Sequence, residues 1–262
     1  MLKRFSSAKN DRSYCWENIS ELWFKIQQMK IGVKAFSSAG ELPEVDTIFY
    51  DEIIQTGLSK VERWQAFAKT NHLRPQSVLE HSVGLVFLTD YVVDKMNGSL
   101  AGKINKELLM KAGILHDVPE GIIQEDVSRS EKTSKQDAKE FAAFADFIAS
   151  KYDQPNLESL EKIYLLQFCL GDISAFPKPK QELMHQIAKD YYLEALMFRV
   201  VENLDYLLYA EEQWVRFGDS SRNLISEVAT IVVPVVEELV PKIPGLDTLW
   251  TTKAKKHFSQ FI

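Results

Sequence analysis

The chain has 262 residues, of which 45% are hydrophobic and 26% are charged, and its formal net charge at pH 7 is −6. This composition is sufficient for a large folded domain, so intrinsic disorder is not the default interpretation. The negative charge argues against a protein that binds polymeric nucleic acid along a broad basic face. A small anionic substrate remains compatible with it, because a metal and a few cations can outweigh the net charge locally.

The cysteines and the apolar segments indicate the compartment. Cys15 and Cys169 show no paired spacing, which predicts neither a disulfide framework nor a thiolate zinc site. No apolar run approaches the roughly 18 residues of a membrane span, and residues 1–20 lack the apolar core of a signal peptide. We therefore expect a cytoplasmic protein with no membrane partner.

Apolar residues recur at helical spacing, alternating β-branched runs are scarce, and Gly and Pro number only 11 and 9, which predicts an all-α chain. Pro75 interrupts the pattern, and Ser77 is the predicted N-cap of the next helix. Because no repeat or linker is found, residues 1–262 are expected to form a single domain. The predicted helices span residues 13–29, 46–68, 78–96, 105–117, 130–152, 157–172, 182–214 as one helix or two, and 221–239 with a kink at Pro234.

Four polar residues occupy apolar faces of these helices. His81 and Asp205 each fall on the apolar stripe of their helix, and the pair His116-Asp117 ends the helix 105–117. An unpaired Asp on a buried face costs several kcal/mol, so the four side chains are expected to share a partner. A metal ion is the partner that this mixture of imidazoles and carboxylates favours.

Taken singly, each of these residues has an ordinary interpretation. A single inward His is usually a core or capping residue, and a single Asp is usually exposed on its helix. Their joint occurrence in one order favours a metal site: a His within a helix, a His-Asp pair 35 residues later at a helix end, and a late inward Asp. The set suits Mn, Fe, Co, Ni or Zn, and it lacks the thiolates of a structural zinc site.

This order of ligands resembles the HD-domain metal-dependent phosphohydrolases. "RPQSVLEHS" (74–82) and "LLMKAGILHDVPEGIIQED" (108–126) are similar to motifs of the branch that contains the 5'-deoxynucleotidases. "VERWQAF" (61–67) resembles the Arg-Trp segment of that branch, and "VENLDYLLYAEE" (201–212) resembles its final Asp motif. The resemblance defines an HD core of about residues 55–215, with helical extensions over 1–54 and 216–262.

The resemblance implies one divalent metal, held by His81, His116, Asp117 and Asp205. Mn, Co, Fe, Ni and Zn are the metals expected, with Mg as a further alternative. The catalytic carboxylates implied are Glu120 and Asp117. Glu120 would orient or deprotonate the attacking water, or protonate the leaving alcohol.

The resemblance also implies a set of substrate-binding residues. Arg63 would grip the phosphate as a planar fork, and Trp64 would lie against the sugar or the base. Without the resemblance, Arg63 would be interpreted as a solvated arginine and Trp64 as a core aromatic. The remaining substrate-binding candidates are Ser77 and an acidic residue that reads the sugar, with Glu125 and Asp126 as alternatives for that position.

The function that follows is a phosphomonoesterase acting on nucleoside 5'-monophosphates by attack of a metal-bound water. Three alternatives stay open: an HD hydrolase of nucleoside triphosphates or alarmones, a non-catalytic HD module that binds metal and nucleotide, and a structural helical protein. The expected partner is a small phosphorylated molecule, a nucleotide, and not polymeric nucleic acid, and a homodimer is left open. Lys132, Lys135 and Lys139 are interpreted as a solvated basic face, with a contact to phosphate as the alternative, and residues 251–261 as a basic tail.

Overall fold

The structure, a computed structural model, describes residues 57–65, 67, 73–100, 103–125 and 132–262. The predicted helix 13–29, most of the helix 46–68, Cys15 and Asp126 lie outside these residues. Apart from two short strands, the regular elements of the described residues are helices, and the all-α prediction is confirmed. The longer helices are α1 (Val78–Leu100), α2 (Lys106–Leu115), α3 (Val118–Ile123), α4 (Ser134–Ala149), α5 (Gln154–Leu165), α6 (Lys178–Asp190), α7 (Tyr192–Phe217), α8 (Arg222–Leu239) and α9 (Thr252–Ser259).

Helix α1 begins with a reciprocal cap. The Ser77 hydroxyl accepts a hydrogen bond from the backbone N–H of Glu80 at 3.1 Å, and the Glu80 carboxylate accepts one from the Ser77 N–H at 2.9 Å. This is a capping box, which satisfies two backbone donors that the first turn would otherwise leave without partners. The predicted N-cap at Ser77 is therefore confirmed.

The predicted helix over 46–68 is wrong for its described part. Gly57 has φ of +86°, a left-handed conformation, and it precedes a 3-10 turn over Leu58–Lys60. The chain then forms β1 (Glu62–Arg63), which pairs antiparallel with β2 (Gln76–Ser77). The turn buries Leu58 and Val61 at a three-residue spacing that a helix would also have produced, which explains the error.

The segment 182–214 forms two helices. Tyr191 has φ of −129° and ψ of 36°, which separates α6 from α7. Helix α7 then continues to Gly218, whose φ of 58° ends it. Helix α8 passes through Pro234 without interruption of the helix.

Helix α7 lies at the centre of the described structure, where it packs against α1, α2, α6 and α8. Both faces of α7 are therefore rich in buried residues, among them Asn203 and Asp205. The C-terminal segment belongs to the same core, since Phe258 of α9 is fully buried. The prediction of a plain basic tail over 251–261 is thus wrong.

Candidate metal centre

Four helices bring the four predicted ligands together. His81 lies in the first turn of α1, immediately after the capping box, and Asp205 lies in the middle of α7. His116 ends α2 and Asp117 begins α3, so the His-Asp pair occupies a tight junction between two helices. All four side chains are buried.

The ligand atoms of His81, His116 and Asp117 converge on one point. The two Nε2 atoms lie 3.1 Å apart, and Asp117 Oδ2 lies 3.1 Å from His116 Nε2 and 3.5 Å from His81 Nε2. Ligands held about 2.0–2.2 Å from one ion lie roughly 3.0–3.5 Å from each other. The spacing of these three atoms therefore fits a single metal ion.

The tautomers of the two imidazoles also fit a metal. His116 Nδ1 donates to the Gly113 carbonyl at 2.8 Å, and His81 Nδ1 donates to Asp205 Oδ2 at 2.6 Å. These partners assign the ring protons to Nδ1 and leave both Nε2 atoms as lone-pair nitrogens. Two lone pairs and a carboxylate oxygen that face one another in a buried site repel unless a metal cation or a proton lies between them.

Asp205 contacts His81 from the side opposite His116 and Asp117. Its Oδ2 fixes the orientation of the His81 ring, and its Oδ1 is buried with no hydrogen-bond partner among the described residues. A carboxylate oxygen left in this way is suited to a cation. The structure thus places Asp205 beside the cluster, and its role as a ligand stays a prediction.

The electrostatics favour ligand-ready forms of His81 and Asp117, whereas the pKa of His116, which burial acts to lower, is raised by Asp117. Burial and the nearby Arg63 guanidinium lower the pKa of His81 in spite of Asp205 and Asp117, so its imidazole is neutral at pH 7. Burial acts to raise the pKa of Asp117, but His116, His81 and Arg63 hold it well below its usual value. Metal binding requires these two forms, a neutral imidazole and a carboxylate.

Glu120 lies in the first turn of α3, one turn after Asp117, and only 4% of its surface is exposed. Its backbone N–H donates to the Asp117 carbonyl at 3.0 Å, which fixes the two residues relative to each other. The Lys132 ammonium lies 3.7 Å from Glu120 Oε1 and 2.9 Å from Glu140 Oε2. Lys132 is therefore not part of a solvated basic face, and that interpretation is wrong for this residue.

Arg63 is brought to the site by β1 and is 6% exposed, so the structure does not support a solvated arginine. Its Nη1 lies 4.0 Å from Asp205 Oδ2, and its guanidinium carbon lies 5.1 Å from the Tyr206 ring centroid. Trp64 stacks on Tyr209 with centroids 4.9 Å apart, and its indole N–H donates to the Gln76 side chain at 3.1 Å. Arg63 thus borders the metal cluster at Asp205, and the Trp64 ring packs beside the Arg63 guanidinium.

The remaining predicted substrate-binding residues are Ser77, Glu125 and Asp126. The Ser77 hydroxyl is occupied in the cap of α1, and Glu125 is exposed after the end of α3. Asp126 lies outside the described residues, so the choice between Glu125 and Asp126 stays open.

Sequence reasoning missed Glu140 and Tyr206 as residues around the site. Glu140 is 2% exposed and shares a face of α4 with the buried Phe141 and Phe144. That apolar spacing is the sequence signal that could have identified it as an inward carboxylate. Tyr206 directly follows Asp205, and only the fold shows that its ring meets Arg63.

Comparison with known proteins agrees with this architecture. Residues 78–205 match the family model described as the HD domain, a segment that starts at the first residue of α1 and ends at Asp205. Residues 78–205 therefore form an HD domain. The predicted resemblance to this family is confirmed, and the nucleotidase branch stays a prediction.

Two solved structures are similar in chain trace. The PH0347 protein of Pyrococcus horikoshii OT3 is 19% identical with a TM-score of 0.49, over 82% of this chain and 99% of that one. A conserved hypothetical protein from Pyrococcus furiosus is 19% identical with a TM-score of 0.38, over 73% and 96% of the two chains. None of the curated proteins matches the sequence.

An HD domain supports metal-dependent hydrolysis in general, and the buried cluster of His81, His116 and Asp117 could hold the metal. Among the helices that the structure describes, none combines the length and the hydrophobicity of a membrane span. The chain thus carries an HD domain with a candidate divalent metal centre.

Proposed function

We propose that this chain is a metal-dependent phosphomonoesterase that acts on nucleoside 5'-monophosphates. The observation that carries the proposal is the convergence of two imidazole lone pairs and the Asp117 carboxylate within 3.5 Å, beside a buried arginine and a buried glutamate. Such a set combines metal ligands, a cation for phosphate and a carboxylate for proton transfer.

His81, His116 and Asp117 would hold the metal, with Asp205 as the fourth predicted ligand. The mixed nitrogen and oxygen donors suit Mn, Fe, Co, Ni or Zn, with Mg as a further alternative. A divalent metal supplies two things in such a site: it polarises a phosphoryl oxygen and lowers the pKa of water. Asp205 keeps the His81 ring in the orientation that this requires.

Arg63 and Glu120 would act on the substrate from two sides of the cluster. The guanidinium of Arg63 presents a planar fork of donors, which suits two oxygens of one phosphate group. The Glu120 carboxylate accepts the proton of the attacking water at an oxygen and returns it to the leaving alcohol. Both groups are buried, which strengthens their electrostatic effect.

The balance of charge around the cluster favours a monophosphate. Within the described residues, the carboxylates of Asp117, Asp205, Glu120 and Glu140 outnumber the cations Arg63 and Lys132. With a divalent metal added these charges sum to zero, so the site offers no surplus of positive charge for the additional negative charges of a triphosphate. The rings of Trp64 and Tyr206 beside Arg63 are suited to a nucleoside.

The test is phosphate release by metal-stripped full-length protein resupplied with Mn, Co, Ni, Zn or Mg. The substrates are ribo- and deoxynucleoside 5'-monophosphates and triphosphates, and the Asp117→Ala variant is the control. We expect metal-dependent release of inorganic phosphate from monophosphates, and none from the variant. Release of pyrophosphate or triphosphate would identify the chain as a nucleoside triphosphate hydrolase instead. Stoichiometric metal without release of phosphate from any nucleotide would identify it as a binding module.

A further inference from the structure

Lys132 occupies a position between two buried carboxylates at the edge of the metal cluster. Its Nζ lies 2.9 Å from Glu140 Oε2 and 3.7 Å from Glu120 Oε1. The Glu140 side chain is 3% exposed, the Glu120 side chain is 5% exposed, and that of Lys132 is 23% exposed. The ammonium is therefore the group that these two carboxylates share within the described residues.

The three charges depend on one another for their burial. A buried carboxylate is unfavourable unless a cation or hydrogen-bond donors compensate its charge. Burial alone lowers the pKa of Lys132, but the charges of Glu120, Glu140 and Asp117 together raise it well above its usual value. Lys132 is therefore a cation at neutral pH.

We infer that Lys132 is a positioning residue, which holds the Glu120 carboxylate beside Asp117 while Glu140 in turn fixes the Lys132 ammonium. The inference rests on the proposed function in one respect, the role of Glu120 in proton transfer. The contacts run from Glu140 on α4 through Lys132 to Glu120 on α3. They therefore link α4, which carries none of the predicted metal ligands, to α3, which begins at Asp117.

A direct role of Lys132 in binding phosphate is the alternative. The geometry favours positioning, because the closer partner of the ammonium is the Glu140 carboxylate at hydrogen-bond distance. A lysine that bound phosphate would be expected to affect KM, whereas one that acts through Glu120 affects kcat. The two roles therefore differ in a measurable way.

Kinetics of three variants separate these roles. Lys132→Met removes the charge, Lys132→Arg keeps it, and Lys135→Met removes an exposed positive charge three residues away as a matched control. With a nucleoside 5'-monophosphate and the activating metal, we expect Lys132→Met to lower kcat about 10- to 100-fold with little change in KM. Lys132→Arg should restore most of kcat, and Lys135→Met should equal the wild type.

A second pair of variants tests whether Lys132 acts through Glu120. In a Glu120→Gln background, Lys132→Met should cause no further loss of kcat, because the group that it positions has already been removed. Independent, multiplicative losses, or a rise in KM with kcat unchanged, would overturn the inference. If Lys132→Met does not fold, the double variant Lys132→Met/Glu140→Gln, which also removes a buried charge, replaces it.

Crystal structures of the wild type, Lys132→Met and Lys132→Arg provide a measurement that is independent of turnover. We expect the Glu120 carboxylate to leave its position in the Met variant and to keep it in the Arg variant. An unchanged Glu120 in the Met variant would overturn the inference even in an active enzyme. Conversely, a wild type without phosphatase activity would overturn the proposed function, and the structures would still decide whether Lys132 holds Glu120.

Discussion

Asp205 and His81 lie 124 positions apart in the sequence and join through a buried contact of 2.6 Å between Oδ2 and Nδ1. The contact ties the central helix α7 to the first turn of α1. It also directs the other nitrogen of the His81 ring at His116 and Asp117. The metal centre therefore depends on the packing of these two helices as much as on the ligands themselves.

The first prediction concerns this contact. Asp205→Asn keeps the shape of the side chain and removes its charge, so we expect metal affinity to fall about 10- to 100-fold. Calorimetric titration of the metal-free protein with Mn or Co measures the change without any substrate. The matched control is Asp247→Asn, which removes an exposed carboxylate and should leave the affinity unchanged. Equal affinity in the wild type and Asp205→Asn would show that the contact does not support the site.

The second prediction concerns the planar donors of Arg63. Lysine at this position would keep the positive charge and lose the fork that grips two phosphate oxygens. A lost hydrogen bond to a charged group is worth about 1.5–3 kcal/mol, so we expect kcat/KM of Arg63→Lys to fall roughly 10- to 100-fold. Steady-state kinetics check this, with the exposed Arg222→Lys as the control. Unaltered kcat/KM would mean that Arg63 supplies charge alone.

The third prediction concerns the pH dependence of stability. Burial raises the pKa of Asp137, in the first turn of α4, to about 6, although Lys132 opposes the shift. Since the folded state then holds a proton that the unfolded state releases, this group's contribution to stability is present below about pH 4 and is lost as the pH rises through about 6. Asp137→Asn should therefore flatten the decline of stability between these two pH values.

Urea denaturation at a series of pH values measures that slope. The exposed Asp146→Asn variant, on the same helix, should retain the slope of the wild type. Parallel pH profiles for the wild type and Asp137→Asn would show that Asp137 titrates with its ordinary pKa in the folded protein.

The sequence predicted the features of the site that depend on local periodicity. His81 and Asp205 were identified because each interrupts an apolar stripe, and both are fully buried. The start of α1 followed from Ser77, whose cap uses a residue only three positions away. Such features are visible in one sequence because the groups that determine them are neighbours along the chain.

The features that were missed depend on distant partners. Arg63 was predicted as a site residue, but the strand that carries it was missed, because that strand depends on its pairing with Gln76 and Ser77. The contact of Arg63 with the Tyr206 ring of α7 was missed for the same reason. The two carboxylates that hold Lys132 come from α3 and α4, and nothing in its immediate sequence distinguishes it from Lys135. The sequence left open whether 182–214 is one helix or two, because the end of α6 at Tyr191 has neither Gly nor Pro to mark it.

The last prediction tests whether the C-terminal extension belongs to the same cooperative unit. Phe258 of α9 is fully buried, and its ring is nearly parallel to that of Trp250 with the centroids 6.0 Å apart. Truncation of a buried Phe to Ala typically costs about 3–5 kcal/mol of unfolding free energy. We expect Phe258→Ala to lose this amount in urea denaturation, whereas Ile262→Ala, at a side chain that is 62% exposed, should change stability by less than about 0.5 kcal/mol.

The number of transitions decides between one unit and two. If α9 folds together with the metal centre, far-UV circular dichroism and tryptophan fluorescence should shift together to the same lower midpoint in Phe258→Ala. The 3.1 Å contact between Nε2 of His257 on α9 and Oε1 of Glu211 on α7 is consistent with such coupling. The opposite result would be a change confined to a small transition at low urea concentration, with the main unfolding midpoint of Phe258→Ala unchanged. Residues 216–262 would then be an appendage to an HD core that is stable without them.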